Sequence, residues 1–153
     1  MTTIENILVG LWFGMGRNRT PKRQDDEARE LLRLVGLDSK ADAIASELTL
    51  SELRRLEVAR ALATNPRLLL LDEMAAGLSP EAISRSVELV KALRNRGLTL
   101  LIIDHFLNLT ARVSDRLIAL DKGEIIAEGK PSEVLECPAV MSSYLGNRQQ
   151  RDE

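Results

Sequence analysis

The sequence predicts an α/β fold, a mostly parallel sheet flanked by helices with a helical subdomain ahead of it. Three observations carry this. The run 68–71 is four leucines ended by Asp72 and Glu73, and a short continuous apolar run between turn signals reads as a strand buried on both faces. The run 98–103 is a second of the same kind, ended by Asp104 and His105. Between them Ser79-Pro80 opens a helical pattern that Gly97 closes. Strand, helix and strand in this order make a βαβ unit, and both strands deliver polar side chains to one edge of the sheet. In open α/β sheets ligands bind at the carboxyl ends of strands. There an acid such as Asp72 can hold Mg²⁺ and a second, Glu73, can activate a water. A buried strand followed by a solvated acidic turn accounts for the same residues without a site.

The totals narrow the function. The chain has 153 residues, 44% apolar and 29% charged, enough for one domain with a sizeable core. A net charge of −2 argues against a nucleic-acid surface. One cysteine, Cys137, excludes an internal disulfide and points to a reducing compartment. One histidine and one cysteine cannot build an ordinary zinc site. The apolar stretch 7–13 is too short to span a bilayer. No Lys or Arg precedes Arg17 to make a signal-peptide n-region. These readings predict a cytoplasmic chain that reaches a membrane only through a partner.

Taken in order, residues 1–16 open without a cap, and Ile4, Ile7, Leu8 and Leu11 have helical spacing. Gly10, Gly14 and Gly16 suggest a phosphate loop. No Gly-Lys-Ser/Thr follows and no strand precedes, so packing glycines are the better reading. Residues 17–24 read as a solvated basic turn. A helix is expected from Asp25, with Ala28, Leu31, Leu32 and Val35 as its stripe and Gly36 as its C′ stop. Thr49-Leu50-Ser51-Glu52 reads as a capping box. The helix after it runs through Ala63, with Leu53, Leu56, Ala59, Leu62 and Ala63 on the apolar side and Arg54, Arg55 and Arg60 on or near the polar side. Its free amides and positive dipole end suit an anion, although an ordinary amphipathic helix uses the same cap.

The helix after Ser79-Pro80 runs to about Arg96, with Ile83, Val87, Val90 and Leu93 facing in. His105 is the lone histidine. In isolation it is structural or incidental, and at a strand end beside Asp72 and Glu73 it becomes a site candidate. A short helix with Leu107, Leu109 and Val113 follows. Residues 116–120 and 124–127 form a hairpin around Asp121-Lys122-Gly123. Pro131-Ser132-Glu133 starts another short helix, and the chain from Asn147 is expected to fray.

The order of these motifs resembles the second half of an ABC-type ATPase, a P-loop NTPase. Residues 48–52 occupy the signature position, just before Arg54-Arg55-Leu56-Glu57-Val58-Ala59-Arg60-Ala61-Leu62. Residues 68–72 resemble the Walker B strand, Glu73 the catalytic glutamate, residues 76–79 the D-loop, His105 the switch histidine and Asp121-Lys122-Gly123 the late hairpin. Within the family the chain is most similar to the branched-chain amino-acid importer ATPases. Residues 1–10 resemble their segment after the Q-loop, and Glu128-Gly129-Lys130-Pro131 with Tyr144-Leu145-Gly146 their C-terminal extension. The resemblance implies a partial ABC domain. Residues 1–66 would be the helical subdomain with a degenerate signature, 67–128 part of the nucleotide-binding core, and 129–153 the extension. Departures are specific: Ser51 replaces the signature glycine, Glu52 replaces its glutamine, Met74 stands for a proline, and Phe106 for an aspartate.

By resemblance, Asp72 holds Mg²⁺, Glu73 is the general base and His105 contacts the γ-phosphate. Thr49, Ser51 and Ser79 are implied in nucleotide binding, Thr49 toward the ATP of the opposite subunit in a head-to-tail dimer. The implied cofactors are ATP and Mg²⁺. The implied partners are a second ABC ATPase subunit and membrane permease subunits, with no nucleic acid, at the inner face of the cell membrane. The implied function is to energise import of branched-chain amino acids or similar small solutes. A non-catalytic interaction protein that docks on a permease or an intact ATPase is the alternative. A soluble ABC protein of DNA repair or translation is a third reading, opposed by the lack of a basic patch and by the Tyr144-Leu145-Gly146 ending. In the family's order the Walker A loop and the Q-loop glutamine precede Met1. The 153-residue chain by itself is therefore expected neither to bind ATP tightly nor to hydrolyse it. With sheet edges and apolar faces uncovered it is expected to be marginally stable or to self-associate.

Overall fold

A computed structural model describes residues 1–14 and 20–149. The chain divides into two compact units, Met1–His105 and Phe106–Glu153. The first opens with helix α1 (Thr3–Phe13). Its start is capped, contrary to expectation. Thr2 Oγ1 accepts from Glu5 N at 3.3 Å, and the Glu5 carboxylate accepts from Thr2 N at 2.7 Å. Thr-x-x-Glu is the capping-box pattern, so the signal stood in the sequence. Ile4, Ile7 and Leu11 are buried, and Leu8 is half-buried. Gly10 and Gly14 do serve packing. A Cβ on Gly10 would lie 2.8 Å from Ala63 Cβ and 2.9 Å from Arg60 O, and one on Gly14 would lie 2.9 Å from Thr64 Cα. Gly16 is outside the described residues.

Helix α2 (Pro21–Leu34) starts before Asp25, because Thr20 is its N-cap, accepting from Arg23 N at 3.4 Å, and Pro21 its first residue. Residues 20–24, expected within the solvated turn, are thus the helix entry. Residues 17–19 are outside the described residues. Gly36, at φ +67°, takes the C′ position. Helix α3 (Leu50–Leu62) packs against α1 and α2. Arg55 stitches α3 to the end of α2, donating from Nη1 to the carbonyls of Val35 at 2.9 Å and Gly36 at 3.1 Å.

Strands β1 (Leu68–Asp72) and β2 (Thr99–Ile103) pair in parallel, Leu68 opposite Thr99 and Asp72 opposite Ile103. Helix α4 (Pro80–Asn95) connects them, which is the expected βαβ order. The expected burial on both faces does not occur. Leu69 and Leu71 are buried, yet Leu68, Leu70, Leu101 and Ile103 are 51%, 65%, 52% and 62% exposed. The sheet contains only these two strands among the described residues. It is covered on one face and open on the other, although its composition suits cover on both. In α4, Val87, Val90 and Leu93 are buried as expected. Gly97, at φ +81°, follows its end.

The second unit contains α5 (Leu107–Val113), a hairpin of β3 (Leu117–Asp121) and β4 (Glu124–Gly129), α6 (Pro131–Leu135) and α7 (Pro138–Gln149). The hairpin turn is Lys122-Gly123, with φ of +50° and +86°, as a two-residue type I′ turn requires. Asp121 therefore ends β3 rather than lying in the loop. A bulge breaks the register between Ala119 and Leu120. α6 and α7 pack on the hairpin, and Ser143 Oγ donates to Asp121 Oδ2 at 3.2 Å. α7 continues through Gln149, so residues 147–149 are helical where fraying was expected. The side chains of residues 144–149 are outside those described. Among the described residues no helix is long and apolar enough to cross a membrane.

Candidate functional site

The carboxyl ends of β1 and β2 bring Asp72, Glu73, Asp104 and His105 to one edge of the sheet. Asp72 and Glu73 are exposed. Glu73 leaves the strand through a left-handed turn at φ +45°, a conformation that costs a non-glycine residue about 1 kcal/mol and tends to collect at functional sites. Its N–H donates to Ile103 O across the strands at 2.8 Å, so the turn is pinned to the end of β2. Ala76 N then donates to Glu73 O at 3.1 Å and Leu78 N to Ala75 O at 3.2 Å. Met74 and Ala75 are buried. The loop ends at Ser79, whose Oγ accepts from Ala82 N at 3.3 Å to cap α4. The same hydroxyl bonds the Glu81 carboxylate and lowers its pKa.

Thr49 and Ser51 lie on a different element, the N-terminus of α3. The expected capping box is present. Thr49 Oγ1 accepts from Glu52 N at 3.4 Å and donates to Glu52 Oε2 at 3.0 Å, and Thr49 N donates to Glu52 Oε2 at 2.9 Å. Glu52 also pairs with Lys40 Nζ at 2.7 Å. These partners, Lys40 first and the Thr49 N–H next, hold the Glu52 carboxyl down to about 2. An internal carboxylate thus sits on the amide end of α3, where an incoming anion would otherwise bind. Ser51 is half-buried, and its carbonyl accepts from Arg55 Nε at 3.3 Å. The start of α3 and the acidic loop do meet. A Cβ on Gly77 would lie 3.1 Å from Leu50 Cδ2, and Gly77 itself has φ +72°.

Sequence reasoning named Asp104 as polar chemistry at a strand end and did not place it in the site. Its side chain is wholly buried, at 0% exposure against 52% for His105. Asp104 Oδ2 accepts from Ala75 N at 3.1 Å, and Oδ1 lies 3.9 Å from His105 Nδ1. The available signal was an acid directly before the only histidine. A cleft of about 1000 Å³ lies at the opposite end of the sheet, lined by Arg33, Arg67, Arg96 and Thr99 among others. None of the candidate residues lines it. Among the described residues no group of three or more His, Cys, Asp or Glu is placed to hold a metal. Asp72 offers a single exposed carboxylate, which fits a Mg²⁺ whose other ligands are phosphates and waters.

Comparison with known proteins bears on family and fold. The family model described as ABC transporter matches residues 1–76. The chain is 38% identical to the high-affinity branched-chain amino acid transport ATP-binding protein LivG of Salmonella typhimurium, over 95% of the chain and 62% of that protein. By sequence and by fold the chain is similar to the ABC transporter ATPases. Its fold is that of the family's P-loop NTPase cassette. It superposes on the ADP conformation of MJ1267, an ATP-binding cassette of an ABC transporter, with a TM-score of 0.81 and 30% identity, over 95% of the chain and 63% of the cassette. It is also 36% identical to the lipopolysaccharide export system ATP-binding protein LptB of Haemophilus influenzae, over 97% of the chain and 61% of LptB. The chain thus spans about 62% of the length of the curated ABC relatives it matches.

Proposed function

We propose that the chain is the ATP-binding and hydrolysing part of an ABC importer subunit. The observation that carries this is the convergence of Asp72, Glu73 and His105 at the carboxyl ends of paired parallel strands. Bound MgATP supplies the phosphoryl group and the cation that neutralises its charge. Asp72 would hold that cation. Glu73 would accept a proton from the attacking water, the pinned left-handed turn fixing its carboxylate at the strand end. His105, half-exposed beside Asp104, would donate to the terminal phosphate. Ser79, and Thr49 and Ser51 from α3, would contact nucleotide, the latter pair across a head-to-tail dimer with a second ABC ATPase subunit. Residues 1–66 would form the helical arm of the subunit, 67–128 its catalytic core and 129–153 an extension. Permease subunits at the inner face of the membrane would be the other partners. Branched-chain amino acids or similar small solutes are the cargo we favour, from the likeness to LivG. LptB is nearly as similar and its name gives another cargo.

A second reading is a non-catalytic interaction protein that docks on a permease or an intact ATPase. Its specific support is Glu52, whose carboxylate occupies the amide end of α3. One experiment separates the two readings. The tagged chain is purified from detergent-solubilised membranes and the assembly's MgATP turnover is compared for the native sequence and Glu73→Gln. The first reading expects a permease in the assembly and a fall of at least about 100-fold, the scale of a general base. Unchanged turnover in Glu73→Gln would contradict it and favour the second.

A further inference from the structure

We propose that Asp104 is a positioning residue that holds the Glu73 loop and the His105 imidazole as one unit, which deepens the proposed function and rests on it for its catalytic meaning. A carboxylate without solvent contact is tolerated only where hydrogen bonds and charge replace its water. The two oxygens of Asp104 face two chain segments. Oδ2 accepts from Ala75 N at 3.1 Å, and Oδ1 faces His105 Nδ1 at 3.9 Å. Ala75 is itself fully buried and lies two residues after Glu73. Its N–H has no water to turn to if the carboxylate is removed.

The anchoring is two-sided. Glu73 N bonds Ile103 O at 2.8 Å, and Asp104, the next residue on that strand, bonds Ala75 N. These two bonds bracket Glu73 and Met74 and clamp the loop onto the end of β2. Glu73 has a left-handed backbone, which persists only where its surroundings over-determine it. The Asp104 bond is one of those constraints. On its other oxygen, Asp104 lies 3.9 Å from Nδ1 of the half-exposed His105 ring, within reach of its charge but beyond hydrogen-bond length. One buried acid therefore sets both the loop that carries the base and the ring that would contact the anion.

The test uses the full 153-residue chain and its assembly. Asp104→Leu removes the acceptor while keeping the branched shape, and Asp104→Asn keeps an acceptor for Ala75 while removing the charge. Hydrogen exchange read by mass spectrometry should show loop 73–78 exchanging at least tenfold faster in Asp104→Leu, with α4 unchanged, and near-native protection in Asp104→Asn. The ring ¹⁵N signals of His105, the only histidine, should shift in both variants. In the assembly, Asp104→Asn should lower kcat at least tenfold with KM for MgATP within twofold. Native loop protection in Asp104→Leu, or native His105 signals in Asp104→Asn, would overturn the proposal. If Asp104→Leu does not fold, the Asp104→Asn ring signals decide alone. Loop and ring effects in an assembly that hydrolyses no ATP would uphold the positioning role and overturn the proposed function instead.

Discussion

Glu52 sits in the capping box of α3, and its charge gives the clearest pH signature among the described residues. Its carboxyl is held down to about 2 from an ordinary 4.5, by Lys40 first and by the Thr49 N–H second. A lowered folded-state pKa means that the unfolded chain binds more protons between those values. The stability Glu52 contributes is therefore complete above about pH 4.5 and is lost as pH falls toward 2. Glu52→Gln keeps the shape of the capping box and removes the titration. Urea midpoints measured from pH 5 to pH 2 should fall more steeply for the native chain than for Glu52→Gln. Parallel curves would show that the Lys40 and Thr49 contacts do not persist in solution.

Elements were legible where the signal was local. Thr49 and Glu52, Ser79 and Pro80, Gly36 and Gly97 mark helix ends through backbone chemistry that a few residues complete, and the structure places each of them so. Two ends escaped for equally local reasons. Thr2-x-x-Glu5 stood at the chain start without an apolar run before it, and Thr20-Pro21 was absorbed into a basic stretch that reads as a turn. Strand composition pointed to burial on both faces, whereas the burial reached depends on what packs against the strand from elsewhere. Only the family resemblance led to the expectation of uncovered apolar faces. Leu68 to Leu71 look alike in sequence, and alternate residues end on a covered and an open face. Asp104 escaped because its role lies in a bond to Ala75, 29 residues away. At the same scale, the α1–α3 contact depends on Gly10. Gly10→Ala gains up to about 1 kcal/mol of helix propensity. It also places a methyl 2.8 Å from Ala63 Cβ and 2.9 Å from a backbone carbonyl, and overpacking of that kind costs about 1–3 kcal/mol. The expected outcome is a lower Tm, and a higher Tm would refute the close approach.

At the scale of the whole molecule, each unit carries an uncovered apolar sheet face. In the first it is Leu68, Leu70, Leu101 and Ile103, and in the second Ile118, Leu120 and Ile125. A two-stranded parallel sheet open on one side is an association surface. Leu70 and Leu101 stand directly opposite each other, so Leu70→Lys with Leu101→Glu places an opposite-charge cross-strand pair there. Sedimentation of the 153-residue chain should show concentration-dependent association that the double variant reduces, with Tm nearly unchanged. A native chain that is monomeric at all concentrations would contradict this.

The family likeness and the geometry meet in one claim, that Glu73 activates water for attack on ATP. The most direct test is nucleotide trapping. The membrane-derived assembly is incubated with radiolabelled MgATP, passed quickly through a desalting column, and its retained nucleotide identified. The native assembly should retain ADP and the Glu73→Gln assembly should retain intact ATP, because binding survives where hydrolysis does not. ADP on both would contradict the claim and place the base elsewhere, and nucleotide on neither would remove this chain from ATP chemistry.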